Sequence, residues 1–282
     1  VRRAGARTLP MPGGNMSIPR ASSGATASYV GENKNIAKSE SGFGDRKFTA
    51  RKLAALVPIS SDLIRFSSPN AEQFVRDDIL AGIAVSEDVA FIRAQGSEHT
   101  PRGMRYWAAA GNVIAANGTI NVANVTTDLG KIEVAVMNAD TPMIAPAYIM
   151  APRTLNYLRN LRTANEVYAF PEVNASWQVS DPARSTAMLR GYPVWTTTSI
   201  PINLGGGGDE SEIYFGDMSE AIIAEVPGIR VDASDTAAYH DGSQLVAAFS
   251  QDQLVIRVIE QHDFAMRHET SMAVLTTVKW IG

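Results

Sequence analysis

The sequence predicts an α+β fold, and three observations carry that prediction. Two runs rich in β-branched residues, Leu254–Ile259 and Met272–Trp280, have the composition of buried strands. A long amphipathic segment, Pro69–Ala94, has the apolar spacing of a helix that packs on a sheet. Shorter helical and extended patterns alternate between these segments, which favours an α+β domain.

Length and composition bound the class of protein. With 282 residues, 45% of them hydrophobic and 19% charged, the chain can bury a full core and is typical of globular proteins. No apolar run reaches the roughly 18 residues that a membrane-spanning helix needs, and no secretory signal is recognisable. Because Cys is absent, we expect neither disulfides nor thiolate metal sites.

Charge is divided unevenly along the chain. Residues 1–55 hold ten Lys or Arg against three acidic residues, which leaves 15 basic and 26 acidic residues in the remainder. Opposite charges in two parts of one chain suit contacts between copies, and nucleic-acid binding or a solvated basic tail are the alternatives. The candidate residues for contacts between subunits are Arg2, Arg3, Arg7, Arg20, Lys34, Lys38, Arg46 and Lys47.

The first 58 residues are predicted to have little core of their own. Residues 1–28 are rich in Pro, Gly, Ser and Ala without apolar periodicity, so we expect an extended arm that only a partner orders. Residues 29–58 stay polar, and we expect two strands joined near Ser41–Asp45 as a long hairpin. Because such a hairpin is marginally stable alone, it would lie on an adjacent subunit.

The long helix has a clear start signal. Ser68 suits the N-cap, Pro69 the first helical position and Glu72 the first turn, and Gly96 would end the helix near Gln95. Its inward face would carry Val75, Ile79, Ile83 and Phe91, and its outward face Arg76, Asp77, Glu87 and Asp88.

The middle of the chain is predicted to alternate. We expect an irregular crossing at Tyr106–Thr127 and a flexible loop at Asn203–Glu210. Helices are expected at Asp128–Met137 and Thr154–Asn160, strands at Ala147–Met150, Gly191–Thr198 and Glu212–Phe215, and a strand or edge element at Ala221–Val226.

No segment carries a catalytic or metal-binding signature. Gly205–Gly208 is followed by carboxylates that would repel a phosphate, so a surface loop is expected there. His262 and His268 lack a third ligand at a suitable spacing, and a triad built on His240 would need a geometry that sequence cannot show. The acidic pairs Asp77-Asp78 and Glu87-Asp88 point apart on a helix, which favours solvated or intersubunit charges over paired catalytic acids.

Short motifs in a fixed order give the chain a resemblance to a known family. They are the capped helix, Met150-Ala-Pro-Arg-Thr-Leu155, Gly191-Tyr-Pro-Val-Trp195, Glu212-Ile-Tyr-Phe-Gly-Asp-Met-Ser219 and the terminal strands. In this order the sequence, from Tyr29 to Trp280, resembles the major capsid proteins of tailed bacteriophages, which share the Hong Kong 97 capsid fold.

The resemblance implies a strand at Glu166–Pro171, a domain plan and a function. The arm, 1–28, and an extended β-hairpin loop, 29–58, would precede a peripheral domain with a long spine helix, 59–125 and 231–264, and an axial domain, 126–230 and 265–282. The chain would assemble with itself, as hexamers and pentamers, into an icosahedral virion shell around double-stranded DNA, in the host cytoplasm. Scaffold, portal and decoration proteins would be further partners; no cofactor, metal or enzymatic activity is implied.

Two family features and two alternatives stay open at this point. A protease removes an N-terminal scaffolding region in the family, which suits a chain that starts at Val1, as laboratory truncation also would. Some relatives join subunits by an isopeptide bond; Lys34, Lys38 or Lys47 with Glu260 could take part, although Gln253 stands where an Asn acceptor is sought. The alternatives are an encapsulin-like nanocompartment shell and, more distantly, a monomeric hydrolase or carbohydrate-binding module.

Overall fold

The computed structural model describes residues 1–23, 27–32, 34–35, 38, 42–62, 71–139, 141–175 and 187–281. The elements follow in the order β1 (Arg7–Pro10), β2 (Asn15–Ser23), β3 (Gly42–Thr49), β4 (Arg51–Ser60), α1 (Ala71–Arg93), α2 (Met104–Trp107), β5 (Val113–Ala115), α3 (Val122–Met137), β6 (Pro146–Met150), α4 (Pro152–Asn160), α5 (Pro171–Ala175), β7 (Ala187–Leu189), β8 (Tyr192–Thr196), β9 (Ser211–Asp217), β10 (Ala221–Glu225), β11 (Arg230–Ser234), β12 (Ala238–His240), β13 (Leu245–Ala247), β14 (Gln253–Met266) and β15 (Met272–Val278).

A six-stranded mixed sheet, in the order β5-β15-β9-β6-β8-β7, forms one part of the molecule. All seven residues of its strand β9 are buried. One face of the sheet carries Tyr148, Phe215 and Leu275, which pack against Leu129 and Ile132 of α3. The opposite face contributes to a second apolar cluster, so β9 is covered on both sides and its central residues 213–215 are apolar without alternation.

A five-stranded sheet is organised around the 14-residue strand β14. Strand β14 pairs antiparallel with β10 and β11 along one edge and with β4 along the other, and β1 adds parallel to β10. Helix α1 packs on this sheet through Ile79 and Ile83, which contact Val258. Phe91 continues into the cluster that contains Tyr214 and Met272, so the two sheets share a core.

Two glycines, Gly103 and Gly216 of the Phe-Gly-Asp motif, are required by close packing. A Cβ at Gly216 would lie 2.5 Å from the carbonyl oxygen of Ser271, and one at Gly103 would lie 2.7 Å from the carbonyl oxygen of Ala90. Both values are below any tolerable contact with backbone, so a larger residue would force the strands or the helix apart. Close packing of Gly216 against the backbone of Ser271 thus explains the glycine in the Phe-Gly-Asp sequence.

Most of the predicted elements are confirmed. The α+β class is correct, and α1 is the longest helix among the described residues, with Ile79, Ile83 and Phe91 buried and Val75 packed beside them. The two β-branched runs form strands β14 and β15, in different sheets. The expected cap at Ser68 and Pro69 lies outside the described residues.

The prediction for the arm is wrong in part. Strand β1 pairs with β10 of its own chain, and Ala4 and Met11 are buried against the body. Backbone hydrogen bonds to the edge of the sheet and the two buried side chains, Ala4 and Met11, hold the arm in place. Neither kind of contact requires apolar residues at regular spacing, so the sequence pattern did not predict the docking. Residues 1–23 are therefore not an arm that depends entirely on a partner.

The predicted register of the hairpin is also wrong. Its strands are β2 and β3, with Asp45 opposite Pro19 in mid-ribbon, so the turn does not lie at Ser41–Asp45. Strand β4 instead pairs along ten residues with β14. Alternating half-buried side chains on β4, among them Leu53 and Val57, pack under α1 and draw this strand into the body.

Four smaller predictions fail for local reasons. Glu166–Pro171 is not a strand: a single bridge joins Arg162 to Tyr168, and α5 follows. Helix α3 begins at Val122, six residues earlier than expected, because the side chain of Asn121 accepts a hydrogen bond from the backbone N–H of Asn124. The expected irregular crossing contains α2 and β5. Glu87 is buried, because Arg2 of the arm pairs with it.

Candidate intersubunit surfaces

The β2–β3 ribbon has little apolar support in its own chain. Side chains on β3 alternate between half-buried and exposed, and Phe48 alone is buried. Phe48 packs at the base of the ribbon with Met11 and Ile222, while Phe43, near the other end, is 79% exposed. The ribbon is thus anchored at its base and presents its other surfaces to solvent or to another molecule.

Arg2 and Arg46, two of the eight candidate basic residues, pair with carboxylates of their own chain. Arg2 donates to Glu87 at 2.8 Å and to Glu225 at 2.9 Å. Arg46 pairs with Glu269 at 3.2 Å. These contacts fix the arm and the ribbon base on the body, a role that the sequence pattern did not reveal because the partners are distant in sequence.

The other candidates differ in exposure. Arg20 is half-buried and lies along Gly44 of the facing strand. Exposed side chains are those of Arg3, Arg7, Lys34, Lys38 and Lys47. The structure brings Arg20, Arg46 and Lys47 together at the ribbon and leaves Arg3 and Arg7 on the arm.

Sequence reasoning missed two buried carboxylates that organise the fold. Glu212 on β9 receives hydrogen bonds from Arg93 at 3.0 Å, Arg105 at 3.1 Å and the Tyr214 hydroxyl at 2.7 Å. It therefore ties α1 and α2 to the six-stranded sheet. The sequence did contain a signal for them: an Asp or Glu within a predicted buried strand must have hydrogen-bond or ion-pair partners, because an unpaired buried charge is costly.

Asp217 is the second of these carboxylates. It accepts hydrogen bonds from the backbone N–H groups of Ile144, Ala145 and Ser219, at 2.9 to 3.0 Å. Burial alone would raise the pKa of Asp217, but these hydrogen bonds outweigh it and hold the pKa below the ordinary value. Asp217 thus fixes the loop before β6 and the turn after β9.

The remaining candidate groups do not converge on a catalytic arrangement. His262 is buried with its ring edge against Phe91, and His268 pairs with Glu220 at 2.6 Å. Asp241 accepts bonds from Ser243 and Gln244, so it closes a turn beside His240. No group of three metal-ligating side chains occurs among the residues that the structure describes. Within the same residues, no helix is long and apolar enough to cross a membrane.

Two of the residues considered for cross-linking, Glu260 and Gln253, have other contacts in this chain. Glu260 lies 3.6 Å from Arg2 and 3.8 Å from His262. The amide oxygen of Gln253 accepts a hydrogen bond from the Tyr239 hydroxyl at 2.8 Å. Gly205–Gly208 forms a turn inside a loop closed by a bridge between Leu204 and Glu210, as expected for a surface loop.

A strand-rich body with a spine helix, a docked arm and a projecting ribbon defines a protein with the Hong Kong 97 capsid fold. The solved capsid structure from Mycobacterium phage Adephagia has a TM-score of 0.73 and 16% sequence identity, covering 96% of this chain and 87% of that one. An encapsulin complex from Synechococcus elongatus has a TM-score of 0.64 and 14% identity, covering 98% of this chain and 86% of that one. These likenesses confirm the predicted fold.

The family follows from sequence. The family model described as the phage capsid family matches residues 1–277, and the chain belongs to that family. The major capsid protein of Klebsiella oxytoca phage phiKO2 is 42% identical over 282 residues, which cover 99% of this chain. The chain spans 63% of that relative's length.

Proposed function

We propose that this chain is the structural subunit of a tailed-phage capsid and assembles with copies of itself into an icosahedral shell. The observation that carries the proposal is the β2–β3 ribbon, which has one buried apolar side chain on β3 and leaves Phe43 79% exposed. A ribbon of this kind is marginally stable in isolation, so contacts with an adjacent subunit would complete it. Membership of the phage capsid family supports the same role.

The shell would be built from hexamers and pentamers in a virion assembled in the host cytoplasm. Each subunit would divide into peripheral segments, 59–125 and 231–264, and axial segments, 126–230 and 265–282. The two sheets follow this division in most strands, but β10 of the axial segment pairs with β14, and β5 of the peripheral segment pairs with β15. Symmetry would repeat the same contact around every capsomer, so individually modest interfaces would act together.

The shell would enclose double-stranded DNA, and scaffold, portal and decoration proteins would be transient or local partners. Exposed Arg3, Arg7 and Lys47 could meet phosphates without sequence preference. We assign no enzymatic activity or cofactor to the subunit. The encapsulin-like shell is the second candidate, and the likeness to the Synechococcus elongatus complex supports it at the level of fold.

Particle size and content test the proposal. Purified chain would be examined by light scattering and negative-stain microscopy over rising protein concentration, followed by analysis of nucleic acid in nuclease-treated particles. Capsomers or closed particles are the expected result, and they should protect DNA when produced with the phage packaging machinery. A chain that stays monomeric at every concentration would contradict self-assembly, and particles that retain protein cargo but exclude DNA would favour the encapsulin-like role.

A further inference from the structure

A cavity of about 410 Å³ lies where the base of the ribbon meets the loop after α1. Its walls come from strands β3, β4 and β14, from helix α2 and from that loop. The charged residues that line it are Lys47, Arg51, Arg102 and Asp263, so three cations face one carboxylate. We name it the basic cavity.

The one carboxylate in the wall is already bonded within the chain. Asp263 accepts a hydrogen bond from Arg51 at 2.6 Å and from the backbone N–H groups of Thr49 and Phe264, each at 2.9 Å. Because Arg51 supplies the counter-charge, Asp263 does not neutralise the other cations of the cavity.

The remaining cations have no such partner and repel one another. Among the described residues, neither Lys47 nor Arg102 forms an ion pair with a carboxylate. Arg46, beside the cavity, pairs with Glu269 at 3.2 Å. Burial nevertheless lowers the pKa of Arg46, and the positive charges of Arg20 and Arg102 lower it further. An anion placed between these groups would relieve this repulsion.

The arginines are oriented before any ligand binds. The guanidinium carbons of Arg46 and Arg102 lie 4.2 and 4.5 Å from the centroid of the Trp107 ring. The indole N–H of Trp107 in turn donates to the carbonyl oxygen of Phe264 at 3.2 Å, which fixes the ring. Cation–π contacts of this kind orient guanidinium groups and leave N–H donors available. The Nε of Arg46 is buried without a hydrogen-bond partner in the described part of the chain.

Backbone geometry fixes Arg102 from the other side. Arg102 forms a bridge with Gln95, and a Cβ on Gly96 would lie 2.8 Å from the Arg102 Cβ. Gly96 also has a φ of +82°, a conformation that glycine adopts readily. The loop is thus shaped around Arg102.

We propose that the basic cavity binds one phosphodiester group of double-stranded DNA through Lys47 and Arg102. The proposal rests on the proposed function, which supplies the DNA, and it names a place where the subunit touches the backbone. The guanidinium of Arg102 offers a fork of N–H donors that matches two phosphate oxygens, and the ammonium of Lys47 adds a point charge. No base is contacted, so the binding would be independent of sequence.

A phosphodiester suits the charge of the cavity better than a free phosphate ion does. Each phosphodiester carries one negative charge, which the two unpaired cations more than balance. A doubly charged phosphate ion would be repelled more strongly by Asp263 in the same wall.

A phosphodiester also needs no particular partner residue. Double-stranded DNA carries one phosphate per roughly 1.7 Å of helix axis, so a duplex lying against the cavity always offers one. A carboxylate of a second copy would instead require one definite acidic side chain held opposite Lys47 and Arg102.

The salt dependence of DNA binding tests the proposal. The unaltered chain and its variants would be titrated with a short duplex of mixed sequence, at protein concentrations where light scattering shows a single species. Lys47→Ala and Arg102→Ala should each weaken binding about tenfold at roughly 50 mM salt. Each should also reduce the slope of log affinity against log salt concentration by about one.

Two further variants separate a phosphate contact from a general loss of charge or structure. Arg76→Ala is the matched control: Arg76 is exposed on α1, does not line the cavity, and its loss should leave affinity and slope unchanged. Arg102→Lys keeps the charge without the fork, so it should retain the slope and lose part of the affinity. Should Arg102→Ala lower the melting temperature, Lys47→Ala at an exposed position still decides the outcome.

Three results would overturn the proposal. The first is equal affinity and slope for the unaltered chain and the Lys47→Ala, Arg102→Ala double variant. The second is loss of assembly by that variant in DNA-free preparations with DNA affinity unchanged, which would identify a carboxylate of another copy as the occupant. The third is an inorganic phosphate that raises the melting temperature through Lys47 and Arg102 while DNA affinity does not depend on them, which would identify the free ion.

Failure of the proposed function would look different. A chain that binds DNA through Lys47 and Arg102 but forms neither capsomers nor shells would support this site and reject self-assembly instead.

Discussion

Strand β9 and strand β3 show how differently two strands of this chain are stabilised. All seven residues of β9 are buried, whereas Phe48 is the one buried residue of β3. The six-stranded sheet is therefore stabilised by its own core, and the ribbon by backbone pairing and an anchor at its base. We therefore expect the body to fold as a single copy and the ribbon to be stabilised further by contact with another molecule.

Charged groups also differ between the six-stranded sheet and the ribbon. Buried Glu212 has three donors from its own chain. At the ribbon, Lys47 is exposed and has no ion pair within the described part of the chain. A buried charge without partners would cost several kcal/mol, but an exposed one costs almost nothing until a complementary surface approaches.

The largest expected effect separates the core sheet from the ribbon directly. Ile213→Asp places a charge in a fully buried position of β9 and should cost more than about 4 kcal/mol, enough to unfold the chain. Phe43→Asp, at a side chain 79% exposed, should change the free energy of unfolding by less than about 0.5 kcal/mol. Denaturant titration of both variants measures this, and equal destabilisation would abolish the distinction between the two regions.

The two faces of α1 offer the same comparison within one helix. Ile83, 6% exposed, packs on Val258, so Ile83→Ala should cost about 3 kcal/mol. Phe74, 73% exposed, serves as the control, and Phe74→Ala should cost less than about 0.5 kcal/mol. Thermal or denaturant unfolding measures both losses of stability. A larger loss for Phe74→Ala than for Ile83→Ala would show that the inward and outward faces of α1 were assigned wrongly.

Asp217 should show an effect that depends on pH. Asp217→Asn removes charge from an acceptor of three backbone N–H groups and should cost about 2 kcal/mol at neutral pH. Because the folded-state pKa of Asp217 lies below the ordinary 3.8, its stabilisation is present above that pH and is lost as the pH falls through the folded-state value. The free energies of unfolding of the unaltered chain and of Asp217→Asn, measured by denaturant titration, should therefore converge in acid. A difference in free energy that does not change with pH would contradict this account.

The smallest expected effect concerns the docked arm. Arg2→Ala should cost about 1 kcal/mol, because its side chain is 37% exposed although its partner Glu87 is buried. Arg7→Ala, at an exposed side chain on the same arm, should be nearly neutral. Protease protection of residues 1–23 gives a second measure, and identical behaviour of the two variants would mean that Arg2 does not hold the arm.

Sequence periodicity predicted the parts of the fold that local patterns determine. The apolar spacing predicted α1 nearly to its ends, because the same side chains form the core. The β-branched run Leu254–Ile259 predicted the first part of β14, which continues to Met266. The docking of β1 on β10 was not predictable in this way, since backbone hydrogen bonds between segments more than 200 residues apart leave no local pattern. The prediction of the hairpin register was wrong for a similar reason. Side chains on β4 alternate as those of a ribbon strand would, and its pairing with the distant strand β14 leaves no local pattern in the sequence.

The candidate surface was predicted less completely than the fold. Composition correctly identified a basic N-terminal region, but it could not separate Arg2 and Arg46, which are paired within the chain, from exposed Lys47. It also could not find Arg102 or Trp107 as neighbours of the ribbon, because they lie some 55 residues further along the chain and meet it through α2 and the loop before it. Side-chain partners at such separations are determined by the tertiary fold.

Hydrogen–deuterium exchange of the free and the assembled chain tests the central claim most directly. Amides of β6, β9 and β15 should be protected in both states, because their sheet is complete in one copy. Amides at the outer end of the ribbon, Gly42–Asp45, should exchange quickly in the free subunit and become strongly protected on assembly. Equal and strong protection of Gly42–Asp45 in the free subunit would contradict the account, since the ribbon would then be stabilised by its own chain.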